Sequence, residues 1–295
     1  MKKKRPTILV TGSNGQVGME LQTLATNFPD FNFNFVDLAE LDITDKAAVK
    51  TYFSKNPINY CINCAAYTAV DKAETETNLA WKVNTVGAEN LALACADAKA
   101  LMLHISTDYV YHTQQTKPYV ETDLTNPQGT YARTKLNGDE AVLRSHHGGS
   151  MIFRTSWVYS SFGNNFVKTM LRLGAEREEI SVIYDQIGTP TYARDLAEAL
   201  LSIVQKAENQ EVESKFFTGI YHYSNEGVTS WYDFAVAIFD QKNMSVKVKP
   251  IETKDYPTPA KRPPYSLLNK PKIKNTFGLD IPHWQHSLRR CLELL

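Results

Sequence analysis

The sequence predicts an α/β chain built on a doubly wound parallel sheet, and three observations carry that reading. Short apolar runs alternate with helical patterns through the first half of the chain. The first run, Ile8 to Val10, meets glycines at once, at positions 12, 15 and 18, and then a helical pattern over 19–28. A second strand-like run, 31–37, ends on Asp37. Alternating strands and helices build βαβ units with helices on both sheet faces, and right-handed crossovers make such a sheet doubly wound, of the Rossmann type.

The elements follow in order. The run 8–10 is apolar throughout, as expected of a strand buried on both faces. Gly12, Gly15 and Gly18 answer three needs: a tight turn, a close approach of backbone to pyrophosphate, and close packing of helix on strand. With Asn14, Gln16 and Val17 they form a candidate phosphate-binding loop, because a helix N-terminus presents free N–H groups and a positive dipole end. The bland alternative is an ordinary strand–turn–helix connection. Asp37, about 20 residues on, suits hydrogen bonding to an adenosine ribose. The stretch 44–56 predicts a helix capped by Thr44 or Asp42. NYCINCAA is the third strand, a long helix runs over 74–99, and ALMLHIST (100–107) is the fourth strand. YARTKLNGDEAVLRSHH predicts a helix, SMIFRTSW a fifth strand, and GNNFVKTMLRLGAERE a further helix.

Beyond Trp157 the texture changes. Strand-like ISVIYDQ, YHYSN and SVKVKPI mix with the helical patterns of 194–207 and 231–242, and 256–265 is too proline-rich for either interior. The expected division is a dinucleotide-binding domain over 1–157, to which later segments return, and a smaller C-terminal α/β lobe over 158–295, mainly substrate-binding. That lobe would close over the carboxyl ends of the strands, where open α/β sheets hold ligands.

Composition narrows the classes. The 295 residues contain 32 Lys+Arg and 32 Asp+Glu, so no global field favours nucleic acid or an anionic membrane. No run approaches the length of a membrane span. MKKKRP reads as a solvated basic start rather than a signal peptide, which makes the expected location cytoplasmic. Cys61 and Cys64 stand at an odd separation in a strand, so they face opposite sides; with Cys95 and Cys291 they read as core thiols in a reducing compartment, and no metal site is expected.

The fourth strand ends in Ser106–Thr107, where a hydroxyl can face the crevice. Tyr131 and Lys135 stand four apart on the next helix and share a face. A free phenol, with a pKa of about 10, exchanges protons poorly at neutral pH. A neighbouring ammonium is expected to lower that pKa, so that the phenol can donate to a carbonyl oxygen as hydride reaches its carbon.

Thr107, Tyr131 and Lys135 match the catalytic set of the short-chain dehydrogenase/reductases, and the G-x-x-G-x-x-G spacing resembles the glycine loop of the extended branch of that superfamily. TGSNGQVG, AAYTAVDKAE, STDYVY, YARTKLNGDE, RTSWVY, GNNFVKTMLRL and DQIGTPTYARDLA, in this order over about two-thirds of the chain, resemble the dTDP-4-dehydrorhamnose reductase family. The resemblance implies NADPH- or NADH-dependent reduction of the C4 ketone of dTDP-4-dehydro-L-rhamnose. It further implies that Lys135 and Tyr131 meet the nicotinamide ribose and Thr107 the substrate carbonyl. Ala65, Ala66 and Tyr67 would line the cofactor, Asp42 and Ile43 would lie by the adenosine, and Thr68, Val70, Tyr109 and Trp157 would contact the sugar. Arg262, Lys261, Asn164 and Asn165 are candidates for the diphosphate and base.

Two departures matter. Related nucleotide-sugar dehydratases carry an acidic pair after the strand-end Thr, whereas here Asp108 precedes Tyr109, so dehydration is not expected. Some family members dimerise through a metal held by glutamates; Glu20 resembles one ligand, but Arg194 stands where another would be, which leaves a monomer or an unbridged homodimer. Two other readings compete with the reductase. One is a non-catalytic regulatory subunit, such as that of methionine adenosyltransferase, on the same fold. The other is a reductase or epimerase of a different nucleotide sugar.

Overall fold

The computed structural model describes residues 5–295; the basic start at 1–4 lies outside them. Its elements in chain order are β1 (Thr7–Thr11), α1 (Gln16–Leu24), β2 (Asn32–Val36), α2 (Lys46–Lys55), β3 (Tyr60–Asn63), α3 (Thr77–Trp81), α4 (Ala88–Ala98), β4 (Leu101–Thr107), α5 (Thr130–Ser145), β5 (Ser150–Thr155), β6 (Val158–Tyr159), α6 (Phe166–Glu176), β7 (Glu179–Ile183), β8 (Ile187–Gly188), β9 (Thr191–Tyr192), α7 (Ala193–Glu208), β10 (Gly219–His222), β11 (Thr229–Ser230), α8 (Trp231–Gln241), β12 (Lys247–Ile251), α9 (Pro271–Phe277) and α10 (Trp284–Leu292).

Six parallel strands form the central sheet in the order β2-β1-β3-β4-β5-β10. The order reverses between β1 and β3, and ligands bind outside the carboxyl ends at such a switch point. Alternation along β1 explains the two layers. Ile8 and Val10 face a core shared with Leu21 of α1 and Leu196 and Leu200 of α7. Leu9 faces the other, with Val49 of α2, Leu91 of α4 and Val142 of α5. The strand is buried at every position, which is why it reads as a continuous apolar run.

Three local expectations change. The cap of α2 is Asp45, whose carboxylate accepts from Ala47 N and Ala48 N, while Asp42 Oδ1 is occupied by the N–H and hydroxyl of Thr44. The long helix of 74–99 starts at Thr77 and is interrupted by a π-helical turn, Lys82–Gly87, before α4 resumes. YHYSN supplies part of β10, which extends the central sheet beside β5 and does not belong to the smaller lobe's own pairings. Short Tyr and His runs carry no sign of which sheet they join; the pairing with β5 decides it.

The smaller lobe gathers α6, α8 and α10 against the parallel pair β7 and β12, the pair formed by ISVIYDQ and SVKVKPI. Its own core is aromatic, with Tyr159, Phe234, Phe239 and Trp284 buried together. Among the described residues no helix is long and apolar enough to cross a membrane.

Candidate active site

The register Thr11↔Asn63 brings the turn after β1 against the segment after β3. Gly12 sits there at φ +65°, and a Cβ on it would stand 2.6 Å from the Ala65 backbone, so no other residue fits. Gly18 is equally constrained, since a Cβ there would lie 2.5 Å from Gly12 O. The N-terminus of α1 has no side-chain cap and no acidic residue in its first turn. A bare helix end above a glycine cradle fits the pyrophosphate of a dinucleotide.

A cleft of about 900 Å³ opens above the switch point. It is lined by Gly12, Asn14, Gly15, Gln16, Val17, Asp37, Asp42, Ile43, Ala65, Ala66 and Tyr67 at one end, and by Thr68, Val70, Thr107, Tyr109, Tyr131, Lys135 and Trp157 at the other. Of the sequence candidates for cofactor and sugar, only Gly18 is off the wall, packed beneath the loop instead.

Lys135 is buried, and its Nζ donates to Ile105 O at 2.7 Å. His104 Nε2 lies 3.3 Å away. The tautomer of His104 follows from Asn63. Its Oδ1 accepts from Thr11 Oγ1 at 2.7 Å and from Ala65 N at 3.1 Å, which leaves Nδ2 to donate to His104 Nδ1 at 2.9 Å. Neutral His104 therefore carries its proton on Nε2, so its contact with the Lys135 ammonium is not a hydrogen bond, and Asp139 Oδ1 lies 3.9 Å from the same nitrogen. Burial, and then the Lys135 charge, hold the His104 pKa well below its usual value. One turn along α5, Asp139 accepts from Arg154 Nε at 3.1 Å, and Arg154 in turn donates to Tyr111 Oη at 2.7 Å. Burial lowers the Lys135 pKa to about 8, against the attraction of Asp139 and Cys64.

The phenol of Tyr131 departs from expectation. Burial pushes its pKa up to about 12, with Thr107 pulling it down and Asp108 and Asp139 adding to the rise. Desolvation dominates here, so the hydroxyl keeps its proton through the neutral range, as a donor must. Tyr109 packs edge-on to Tyr131 at 5.9 Å.

The loop carrying Ala65 to Val70 is held by the π-helical turn. Asn84 Oδ1 accepts from Tyr67 N at 2.8 Å, and Asn84 Nδ2 donates to Tyr67 O at 3.1 Å. Trp157, at φ +49°, stacks on Trp231 with ring centroids 3.7 Å apart. Trp231 opens α8 and also lines the cleft. Sequence reasoning missed it, along with Asn84, and noted Ser106 and Asp108 only as neighbours of Thr107; the signal for Asn84 was the poor helix propensity of KVNTVG inside a long helical pattern.

Other candidates fall elsewhere. Arg262 is engaged by Asp71 in a two-point pair, 3.2 and 2.8 Å, which ties the proline-rich segment to the loop after β3. Asn164 lines the cleft, but Asn165 caps α6 and donates to Gln16 Oε1 at 2.9 Å, joining the glycine loop to the second lobe. Lys261 is exposed and does not line the cleft. Glu20 is buried and accepts from Ser160 Oγ at 2.6 Å, while Arg194 pairs with Glu198. Cys64 is a core thiol only in part: β3 ends at Asn63, and Cys64, half-buried, packs against the core on one side and reaches the cleft wall on the other. Cys61, Cys95 and Cys291 are buried free thiols.

Comparison with known proteins places this geometry. A family model for the RmlD substrate binding domain matches residues 6–295. The dTDP-4-dehydrorhamnose reductase of Aggregatibacter actinomycetemcomitans is 42% identical over 289 residues, covering 96% of this chain and 97% of the relative. A crystal structure of a dTDP-4-dehydrorhamnose reductase from Clostridium acetobutylicum ATCC 824 superposes with TM-score 0.91 at 41% identity, covering 98% of this chain and 99% of that one. One from Bacillus anthracis str. Ames, in complex with NADP, gives 0.92 at 38% identity over 99% and 100% of the two chains. The chain therefore belongs to the RmlD substrate-binding family, the family of the dTDP-4-dehydrorhamnose reductases.

Proposed function

We propose that the protein reduces the C4 ketone of dTDP-4-dehydro-L-rhamnose to the alcohol of dTDP-L-rhamnose, using NADPH or NADH. The observation that carries the reading is a single one: Thr107, Tyr131 and Lys135 line the same cleft as the glycine loop. The reduced nicotinamide, when bound, supplies hydride. Tyr131 then donates its phenolic proton to the carbonyl oxygen, and Thr107 donates a second hydrogen bond to the same atom, so charge developing there meets fixed donors. Lys135, oriented by Ile105 O, would hold the nicotinamide ribose and face the phenolate left by proton transfer. Asp37 and the glycine loop would hold the adenosine ribose and pyrophosphate, with Asp42 and Ile43 near the adenine end. Thr68, Val70 and Tyr109 would seat the sugar, and the Trp157–Trp231 stack offers a flat apolar wall suited to a 6-deoxy carbon. Asn164 is the remaining second-lobe candidate for the diphosphate side.

The test is spectrophotometric NAD(P)H oxidation with a panel of keto-sugar nucleotides. dTDP-4-dehydro-L-rhamnose should be reduced far faster than the free sugar or UDP-linked ketones. Protein that binds NAD(P)H yet oxidises none with any of them would be a regulatory subunit instead.

A further inference from the structure

Asp108 follows Thr107 directly and is buried on the cleft wall. Thr107 Oγ1 and Asp108 Oδ1 are 3.2 Å apart, and the Tyr109 N–H donates to the same Thr107 Oγ1 at 3.2 Å. Asp108 Oδ2 is buried and makes no well-formed hydrogen bond, the Ser266 hydroxyl being its nearby polar neighbour. A hydroxyl has one proton and two lone pairs, so these contacts decide where Thr107 can point. An ionised Asp108 can only accept, and then it holds the Thr107 proton at Oδ1. A neutral Asp108 donates its own proton to Thr107 instead. Tyr109 N–H fills the other lone pair, and the Thr107 proton must turn to a third acceptor.

We propose that Asp108 acts as a neutral carboxylic acid, a positioning residue that turns the Thr107 hydroxyl onto the substrate carbonyl oxygen beside the Tyr131 phenol. This rests on the reductase reading above. The environment suits the neutral form. Burial pushes the Asp108 pKa up to about 7, against the hydroxyls of Ser266 and Thr107 and the backbone N–H groups of Asp108 and Tyr109. The groups facing it are Tyr109 on its own turn, Tyr131 from α5 and the Ser266 hydroxyl; beyond them Asp139 acts on Tyr131, and Asp71 and Arg262 act on Tyr109. Arg262, the cation among them, is already held by Asp71. A carboxylate at Asp108 would also stand next to an oxygen that becomes negative in the transition state, which adds to the cost of the ionised form. The contribution of Thr107 is thus present below the Asp108 pKa and lost as pH rises through it.

The experiment is the pH profile of kcat/KM for NADPH oxidation with dTDP-4-dehydro-L-rhamnose in wild type, Asp108→Asn and Thr107→Val. An Asn amide donates to Thr107 at every pH and so imitates the neutral acid. In wild type the Asp108 limb should lower kcat/KM about tenfold between pH 6 and pH 8, one unit above the pKa. In Asp108→Asn that limb should vanish, leaving about a twofold decline from Lys135. Thr107→Val, slower throughout, should also lack it. An Asp108→Asn protein that binds NADPH but is inactive at every pH, or a limb that survives in either variant, overturns the inference while leaving the reductase reading intact. A wild type that oxidises no NAD(P)H overturns that reading and the inference with it.

Discussion

Asn14 donates its backbone N–H to Asp37 Oδ2 at 2.9 Å, so a carboxylate from the end of β2 rests against the phosphate-binding loop. Its other oxygen accepts from Leu38 N at 2.8 Å. A ribose 2′-hydroxyl brought there meets an acceptor, whereas a 2′-phosphate meets a like charge. The loop TGSNGQVG offers no arginine in compensation. Both cofactors are expected to work, with NADH not strongly disfavoured, and Asp37→Arg should shift kcat/KM toward NADPH by about tenfold or more, one charge reversal at short range. Steady-state kinetics with both nucleotides checks this; a hundredfold wild-type preference for NADPH would mean that the ribose lies away from Asp37.

Tyr131→Phe removes the proposed acid and little else, because the ring still packs on Tyr109. The rate should fall by about 10²–10⁴-fold, the usual worth of general acid assistance. Cofactor affinity, followed by fluorescence titration, should stay within a few-fold of wild type. Near-full turnover in this variant would take Tyr131 out of the mechanism.

Lys135 couples activity to stability. Its pKa falls from 10.5 to about 8 because burial penalises the ammonium. A cation with a depressed folded pKa costs the fold its full penalty below about 8, and the penalty fades as pH rises toward the unfolded value. The shift corresponds to roughly 3 kcal/mol, part of which Asp139 would give back on losing a partner. Lys135→Met should therefore lose activity and cofactor affinity yet melt about 2–4 °C higher at pH 7. The gain should shrink in scans above pH 10. A lower Tm at pH 7 would show that the ammonium is a net stabiliser.

Much of this was legible in the chain itself because its signals are local. The apolar run Ile8 to Val10, the glycine spacing and the Tyr131–Lys135 interval each depend on residues a few positions apart, and they located the phosphate loop and the Tyr–Lys pair, while the family resemblance supplied Ala65 to Val70, Tyr109 and Trp157. What escaped depends on distant partners. Trp231 is 74 positions from Trp157, and nothing in either neighbourhood announces their stack. Arg262 read as a free cation because Asp71 lies far away in sequence. The tautomer of His104 depends on Asn63 and Ala65, and no periodicity encodes it. The Tyr131 pKa was misjudged for a related reason: sequence shows a lysine four residues on but not the burial and the Asp108 and Asp139 carboxyls that raise it.

Trp157 holds a left-handed backbone at φ +49°, an unusual state for a large residue, and its ring is fixed by Trp231. A Cβ on Gly188 would lie 2.9 Å from the same indole, so the platform is backed on that side too. Trp157→Ala should raise KM for the nucleotide sugar sharply. Trp231→Ala should do so as well, by about two- to tenfold, since a lost aromatic pair is worth about 0.5–1.5 kcal/mol. NADPH affinity should be unchanged in both. If Trp231→Ala leaves KM at the wild-type value, Trp157 is held by its backbone alone.

The π-helical turn offers a test at a distance from any reacting group. A Cβ on Gly138 of α5 would stand 2.1 Å from the backbone oxygen of Asn84. That contact cannot be relieved by turning a side chain, so Gly138→Ala must push the turn away from α5. Asn84 Nδ2 also donates to Thr134 Oγ1 at 3.1 Å, and Thr85 Oγ1 donates to Thr134 O at 2.8 Å, so these bonds would be strained together. Overpacking of this kind costs about 1–3 kcal/mol, which denaturant unfolding would record as a lower midpoint with an unchanged slope. Because Asn84 also holds Tyr67 at both its N–H and its carbonyl, the displacement should reach the loop of Ala65 to Val70. Cofactor and sugar KM should both rise, although Gly138 touches neither. Asn84→Ala should reproduce the KM effects without the clash, as two bonds to Tyr67 are lost and its backbone groups must find water. If Gly138→Ala destabilises the protein but leaves both KM values unchanged, the loop is positioned by something other than Asn84.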